Sequence, residues 1–307
     1  MNRGVSFAEK TEKTGETGEL VKTEVEVITS GSPEYPALLK EIKGYPKELY
    51  YIGNIKILRK RCAAVVGSRS ANRYGRATAA AIAGKLAERD VTVVSGMARG
   101  IDTCAHRGAL SAGGNTVAVL GCGADICYPK ENFPLKRELE SKGLVISEYP
   151  PGTMPRTYYF PQRNRIICGV SELTVVVQAR NNSGSLITAE LAAEQGREVC
   201  AVPGNIDSGY NMGSNKLIKD GAVPIVNVRD VLDIMGIDAM DGKTAEKLLS
   251  DTEFKIFSML TECGEMTVDE ICIRLKKPPA YVNSIVTVME LKGAVFTALG
   301  KIFVAKG

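Results

Sequence analysis

From Cys62 onward, short runs that are apolar throughout alternate with stretches of helical length. CAAVV (62–66) precedes a helical pattern over 76–88, VTVVS (91–95) one over 101–111, and TVAVL (116–120) one over 133–141. LVISE (144–148) precedes 162–170, LTVVV (173–177) precedes 185–195, and EVCAV (198–202) precedes 216–220; AVPIV (222–226) and a last helical stretch over 228–235 close the series. A strand apolar at every position is covered on both faces, and strands that alternate with helices pair in parallel. The pattern therefore predicts an α/β fold with a Rossmann-like, doubly wound, mostly parallel sheet. Ligands of such sheets bind at the carboxyl ends of the strands.

The flanks read differently. Residues 1–24, rich in Glu, Lys, Thr and Gly, are expected to be a disordered tail. Residues 25–58 form a lead-in packed on the core, with extended pieces at 25–28 and 49–52 and a short helix over 36–42. The Rossmann-like domain takes 59–236, and 237–246 (IDAMDGKTAE) reads as a linker. Within 247–307, helical patterns over 252–261, 267–275 and 279–292 start at Thr or Pro, and two extended pieces (294–298, 301–304) turn at Gly300. Three helices and a hairpin outline a small C-terminal winged helix.

Composition changes this picture little. A chain of 307 residues, 44% hydrophobic and 24% charged, suits one large domain and a satellite. No apolar run is long enough to span a bilayer, so a cytoplasmic protein without membrane contact is expected. The eight cysteines (62, 104, 122, 127, 168, 200, 263, 272) form no CxxC pair, and free buried thiols are expected rather than disulfides or a metal site. Charge is more telling in its distribution. Residues 59–236 carry 22 basic and 16 acidic groups, whereas each flank is net negative by one. The positive excess sits in the middle domain, compatible with a polyanion or with an ordinary solvated surface.

The loops after the strands carry the candidate chemistry. GSRSANRYG (67–75) opens a helix as a phosphate loop does, with Gly67, Ser68 and Arg69 at the turn. It is neither GxGxxG nor a P-loop, and no acidic residue closes the second strand to hold a ribose, so nicotinamide and ATP cofactors are disfavoured and none is expected. SGMARGID (95–102) leads to His106; Asp102 and His106 share a helical face four residues apart and are expected to form a hydrogen-bonded structural pair rather than a catalytic one. GCGADICYPKENF (121–133) offers a tyrosine and Lys130, the latter to meet a phosphate or to begin a helix. EYPPGTMPRTYYFPQRNR (148–165) mixes Arg156, Arg163, Asn164 and Arg165 with Phe160, the blend of guanidinium forks and a ring that suits a single-strand groove. Tyr158 and Tyr159 have a packing role open to them, and Arg163 and Arg165 are equally placed to brace loops through carbonyls. ARNNSGSLITAE (179–190) brings Ser183, Gly184 and Ser185 to a helix start, an anion cradle or a plain N-cap. PGNIDSGYNMGSN (203–215) completes the rim.

Taken together, GSRSANRYG, SGMARGIDTCAH, LGCGADICYPKEN, SEYPPG, FPQRNRIICGVS, ARNNSGSLITAELA, AVPGNI and GSNKLIKDGA resemble, in order and over about residues 33–236, the DNA-processing protein A (DprA/Smf) family. The resemblance implies an extended Rossmann-like domain that binds single-stranded DNA. It further implies a homodimer that protects incoming DNA during natural transformation and loads the RecA recombinase onto it. Carried over by position, the DNA pocket falls on Arg69, Lys130, Arg156 and Phe160, with Arg163 and Arg165 in the same motif; Arg156 is the looser match. The family's dimer contact falls near 228–235. The third helix of the winged helix, PPAYVNSIVTVMELK, carries one lysine, at its end, and one asparagine, where a DNA-reading helix needs several such residues, so this module is expected mainly to mediate protein contacts or to bind duplex poorly.

A second class of function stands beside the binder. Rossmann-like enzymes that cleave nucleotide N-glycosidic bonds share a glycine-rich loop with a Thr and a Glu, and SGSLITAE places Thr188 and Glu190 distantly alike. Such an enzyme needs a carboxylate facing the substrate, whereas Glu190 falls well inside its helix. A protein without catalytic residues is the expectation.

Overall fold

The computed structural model describes residues 24–237, 249–298 and 300–304; the tail expected over 1–24 and the linker expected over 237–246 lie almost wholly outside them. The core of the larger unit is built from β3 (Cys62–Val66), β4 (Thr92–Ser95), β5 (Thr116–Leu120), β6 (Leu144–Ser147), β7 (Leu173–Val176), β8 (Glu198–Ala201) and β9 (Val223–Pro224). These seven pair in parallel in the order β6-β5-β4-β3-β7-β8-β9. β3 is fully buried, with Ala63 and Val65 in the core of one face and Ala64 and Val66 in that of the other, as the two-residue period of a strand requires.

Helices α2 (Arg73–Ala87) and α3 (Ile101–Ser111) cover the first face, where Ile82, Leu86 and Ala105 meet Val93. Helix α5 (Tyr159–Gly169) packs Ile166 and Ile167 on the second face, and α6 (Gly184–Glu194) adds Ala189. α4 (Phe133–Lys142), α7 (Met212–Lys219) and α8 (Asp230–Ile234) complete this unit. Leu135 and Leu139 of α4 close a further core with Leu120 and Val145.

The lead-in does more than pack on the core. β1 (Glu26–Thr29) and β2 (Glu48–Gly53), with the short helix α1 (Ala37–Lys40) between them, extend the sheet: β2 pairs antiparallel with β6, and β1 with β2. The burial pattern of β2, with Leu49, Tyr51 and Ile52 inside, explains the attachment. Helix starts also differ from the sequence reading. α2 begins three residues early because the Asn72 side chain accepts the Gly75 N–H at 2.9 Å and caps it. α5 begins at Tyr159, so Phe160 and Pro161 occupy its first turn instead of a loop; a proline is tolerated there because its missing N–H would lack a helical partner anyway.

The C-terminal unit comprises α9 (Asp251–Cys263), β10 (Glu265–Met266), α10 (Val268–Leu275), α11 (Pro279–Leu291), β11 (Val295–Ala298) and β12 (Lys301–Val304), with a separate core of Ile256, Leu260, Ile271, Val282, Met289 and Ile302. Ser250 with Glu253 and Thr267 with Glu270 form reciprocal capping boxes that start α9 and α10. The sheet order β10-β12-β11 and three helices give a winged-helix arrangement. β10, two residues long, is beyond what sequence periodicity reveals.

Candidate nucleic-acid interface

Loops from the carboxyl ends of β3, β4, β5 and β7 are tied to one another before any ligand is considered. The Ser68 N–H donates to the Gln178 carbonyl at 2.7 Å, joining the loops after β3 and β7. Gln178 is buried; its amide accepts the Asn72 N–H at 3.0 Å and donates to Asn211 at 3.0 Å. Gly100, at φ +76°, lies so close beneath Ser68 that a Cβ would meet its carbonyl at 2.3 Å, which presses the loop after β4 against the loop after β3. Asn132 donates to the Met97 carbonyl at 2.8 Å and to Thr103 at 2.9 Å, tying the loop after β5 to the same assembly. Exposed side chains on this frame are therefore held by rigid backbone.

Helix α5 sorts the FPQRNR motif by face. Arg163 is buried and donates to the Gly96 carbonyl at 3.0 Å and to the Val119 carbonyl, clamping the loop after β4 to β5. Burial lowers its pKa to about 10, opposed chiefly by the neighbouring Asp102, so it stays cationic at neutral pH. Asp102 is itself pushed up by burial against the pull of Arg163, and it accepts the Gly96 and Ala98 N–H groups at 3.1 and 3.3 Å. Arg165, two residues on, turns elsewhere and pairs with Glu148. Phe160 stands over Gly121, whose missing Cβ would lie 2.9 Å from the ring. Tyr128 stacks on that ring at 5.3 Å, and the Arg69 guanidinium lies 5.5 Å from its centroid.

Two adjoining clefts result. The larger, about 640 Å³, is lined by Gly67, Ser68, Arg69, Phe160, Arg163, Asn164, Arg180, Asn182, Ser183, Gly184, Ser185 and Thr188 among others. The smaller, about 350 Å³, is lined by Arg69, Arg99, Tyr128, Lys130, Phe160 and Arg163 among others. Arg69, Tyr128, Phe160 and Arg163 belong to both, so the clefts form one groove divided at the Phe160 ring. Ten of the twelve residues singled out in the sequence meet here. Arg156 and Arg165 line neither cleft: Arg156 donates to the Tyr158 hydroxyl at 3.0 Å, and Arg165 braces Glu148. Arg69 and Lys130 are exposed, and among the described residues neither pairs with a carboxylate, in contrast to Arg99, which is bound to Glu131.

The sequence model of the family described as "DNA recombination-mediator protein A" matches residues 26–236, the whole of the larger unit. The chain belongs to that family. It is 44% identical over 198 residues to the DNA processing protein DprA of Streptococcus pneumoniae, covering 64% of this chain and 70% of that one. The X-ray structure of DprA from Streptococcus pneumoniae superposes with a TM-score of 0.66 at 42% identity, covering 68% of this chain and 74% of its own. The structure that describes the single-stranded DNA binding mode of DNA processing protein A from Helicobacter pylori superposes with a TM-score of 0.64 at 28% identity, covering 70% of this chain and 96% of its own.

Within this fold, the expected Asp102–His106 pair is not formed. His106 is fully buried and its Nδ1 meets the Thr116 hydroxyl at 2.7 Å; that hydroxyl donates to the Val93 carbonyl at 2.8 Å, so Nδ1 carries the proton. Burial, aided by the charge of Arg163, pushes the imidazole down to about 3, and it is neutral. Asp102 turns instead to the amides of the loop after β4, which explains the misreading: both side chains lie inside the fold, and each finds a nearer partner. Tyr159 packs on Tyr149 and Tyr158 at 4.1 and 4.6 Å, a packing role for the loop tyrosines. Glu190 is exposed and lines neither cleft, while Thr188 lines the larger one. Among the described residues no three His, Cys, Asp or Glu side chains gather as a metal site, and no helix is long and apolar enough to cross a membrane. Sequence reasoning missed Arg180 and Asn182; the signal was present, since Arg180 is the first charged residue after the apolar run of β7.

Proposed function

We propose that this rim binds single-stranded DNA without altering it, and that the protein is a recombination mediator that protects incoming DNA and loads the RecA recombinase onto it during natural transformation. The observation that carries the reading is the pairing of unneutralised cations with a ring: Arg69 and Lys130 flank Phe160 in adjoining clefts. Cations answer the phosphates, and an aromatic face accepts any base provided that it is unpaired. Duplex DNA keeps its bases stacked inside and offers the ring nothing. The likeness to a single-strand-binding relative from Helicobacter pylori supports the same reading.

The dimer is proposed to form on the segment 228–235, which contains α8. The winged helix is proposed to serve protein contacts: the exposed positions of α11 include Tyr281, Ser284, Thr287 and Val288, with no cation among them. Nucleotide hydrolysis is disfavoured because the carboxylate it needs, Glu190, is turned away from both clefts and Asp102 is held by two amides. Gel-shift titration of oligo-dT against duplex of equal length, at two salt concentrations, tests the binding. Tighter binding of oligo-dT with a strong salt dependence is expected; equal or tighter binding of duplex rejects the proposal. Release of free base from nucleoside monophosphates, abolished by Glu190→Gln, would favour the enzyme instead.

A further inference from the structure

The sheet changes direction at β3. Its chain neighbour β4 lies on one side and β7 on the other, and the helices that follow, α2 and α6, cover opposite faces. Beyond the Ser68–Gln178 link the chains after β3 and β7 therefore run to opposite faces and leave a crevice at the carboxyl end, the place where open α/β sheets hold ligands. Lys130 and Phe160 stand on the β4–β5 side of this crevice. On the β7 side stands Arg180, which lines only the larger cleft, just as Lys130 lines only the smaller; Arg69 and Phe160 belong to both.

Arg180 is built to present charge. Its backbone is fixed, since the Ser183 N–H donates to its carbonyl at 3.0 Å and the Gly213 N–H to the adjacent Ala179 carbonyl at 2.8 Å. Its guanidinium lies over the Tyr210 ring, 4.5 Å from the centroid. Stacking on a ring orients the guanidinium plane without neutralising it and leaves the N–H groups of its edge available. Among the described residues no carboxylate pairs with Arg180, although the side chain is exposed. Arg165 and Arg197, by contrast, are spent on Glu148 and Glu41.

We propose that Arg180, oriented by Tyr210, is a second phosphate-binding post, so that a single strand crosses the crevice from Lys130, over Phe160 and Arg69, to Arg180. The proposal rests on the single-strand reading above and extends its track to the β7 side. The helix start at Ser183 and the amide of Asn182 flank this end of the groove and add neutral donors for the same phosphate.

Fluorescence anisotropy of labelled oligo-dT over a salt series tests it, with Arg180→Gln, Arg180→Lys, Tyr210→Leu and, as a control for the site itself, Arg69→Glu. Arg180→Gln should bind about tenfold more weakly at low salt, and its log–log salt slope should shrink by roughly 0.7, the value for one phosphate contact on a single strand. Arg180→Lys should keep the slope, and Tyr210→Leu should weaken binding with the slope retained. Wild-type affinity and slope in Arg180→Gln, with binding abolished in Arg69→Glu, overturns the second post and leaves the single-strand reading standing. Wild-type binding in both variants overturns the two together. Unchanged melting temperatures establish that each variant is folded.

Discussion

Three arginines of one short stretch of chain, and a fourth from another loop, have different fates that charge alone does not reveal. Arg163 is interior structure: removing its guanidinium strands the Gly96 and Val119 carbonyls and leaves Asp102 without a compensating charge. Arg163→Gln is expected to cost about 3 kcal/mol, from the penalty for buried polar groups left unpaired. Arg69→Gln, at an exposed residue, should leave the melting temperature unchanged and weaken binding instead. Thermal denaturation beside anisotropy separates the two; equal destabilisation by both would refute the division. Phe160→Ala should cost roughly 1–3 kcal/mol of oligo-dT affinity with an unchanged salt slope, because stacking releases no counterions. A change in slope as large as that of Arg69→Gln would show that the ring acts through a cation. The RNR motif was legible in the sequence as guanidinium chemistry. Which arginine is buried was not, since the answer depends on partners distant in sequence: the Gly96 and Val119 carbonyls take Arg163, and Glu148 takes Arg165.

At the level of elements, apolar runs announced every strand of the parallel sheet; β3 to β7 are buried on both faces, which leaves an unbroken hydrophobic signature, whereas β8 and the edge strand β9 are only partly buried. The antiparallel addition of β2 to β6 was not legible, since pairing between positions 50 and 147 leaves no local trace. Helix α3 supplies a pH-dependent test. Its His106 is neutral in the fold, at about 3, whereas the unfolded chain takes up a proton near 6.5. Because the unfolded state binds the proton and the native state refuses it, this residue's contribution to stability falls as pH drops below about 6.5. Between pH 7.5 and pH 5.0 the native protein should lose about 2 kcal/mol more than a His106→Gln variant does. Chemical denaturation of both proteins at the two pH values measures this, and equal losses would contradict a buried neutral imidazole.

On the scale of the whole molecule, the segment that carries the positive excess is also the one that gathers exposed Arg69, Lys130 and Arg180 on one rim. The winged helix has a core of its own and presents no cation along α11. A chain ending before residue 244 should therefore retain most of its oligo-dT affinity, and loss of most of it would assign duplex or strand binding to the C-terminal unit. Co-crystallisation with a thymidine oligomer tests the central claim most directly. Phosphates at Arg69 and Lys130 and a base against the Phe160 ring are the expected result; a strand bound elsewhere, with this groove empty, would overturn single-strand binding at this rim.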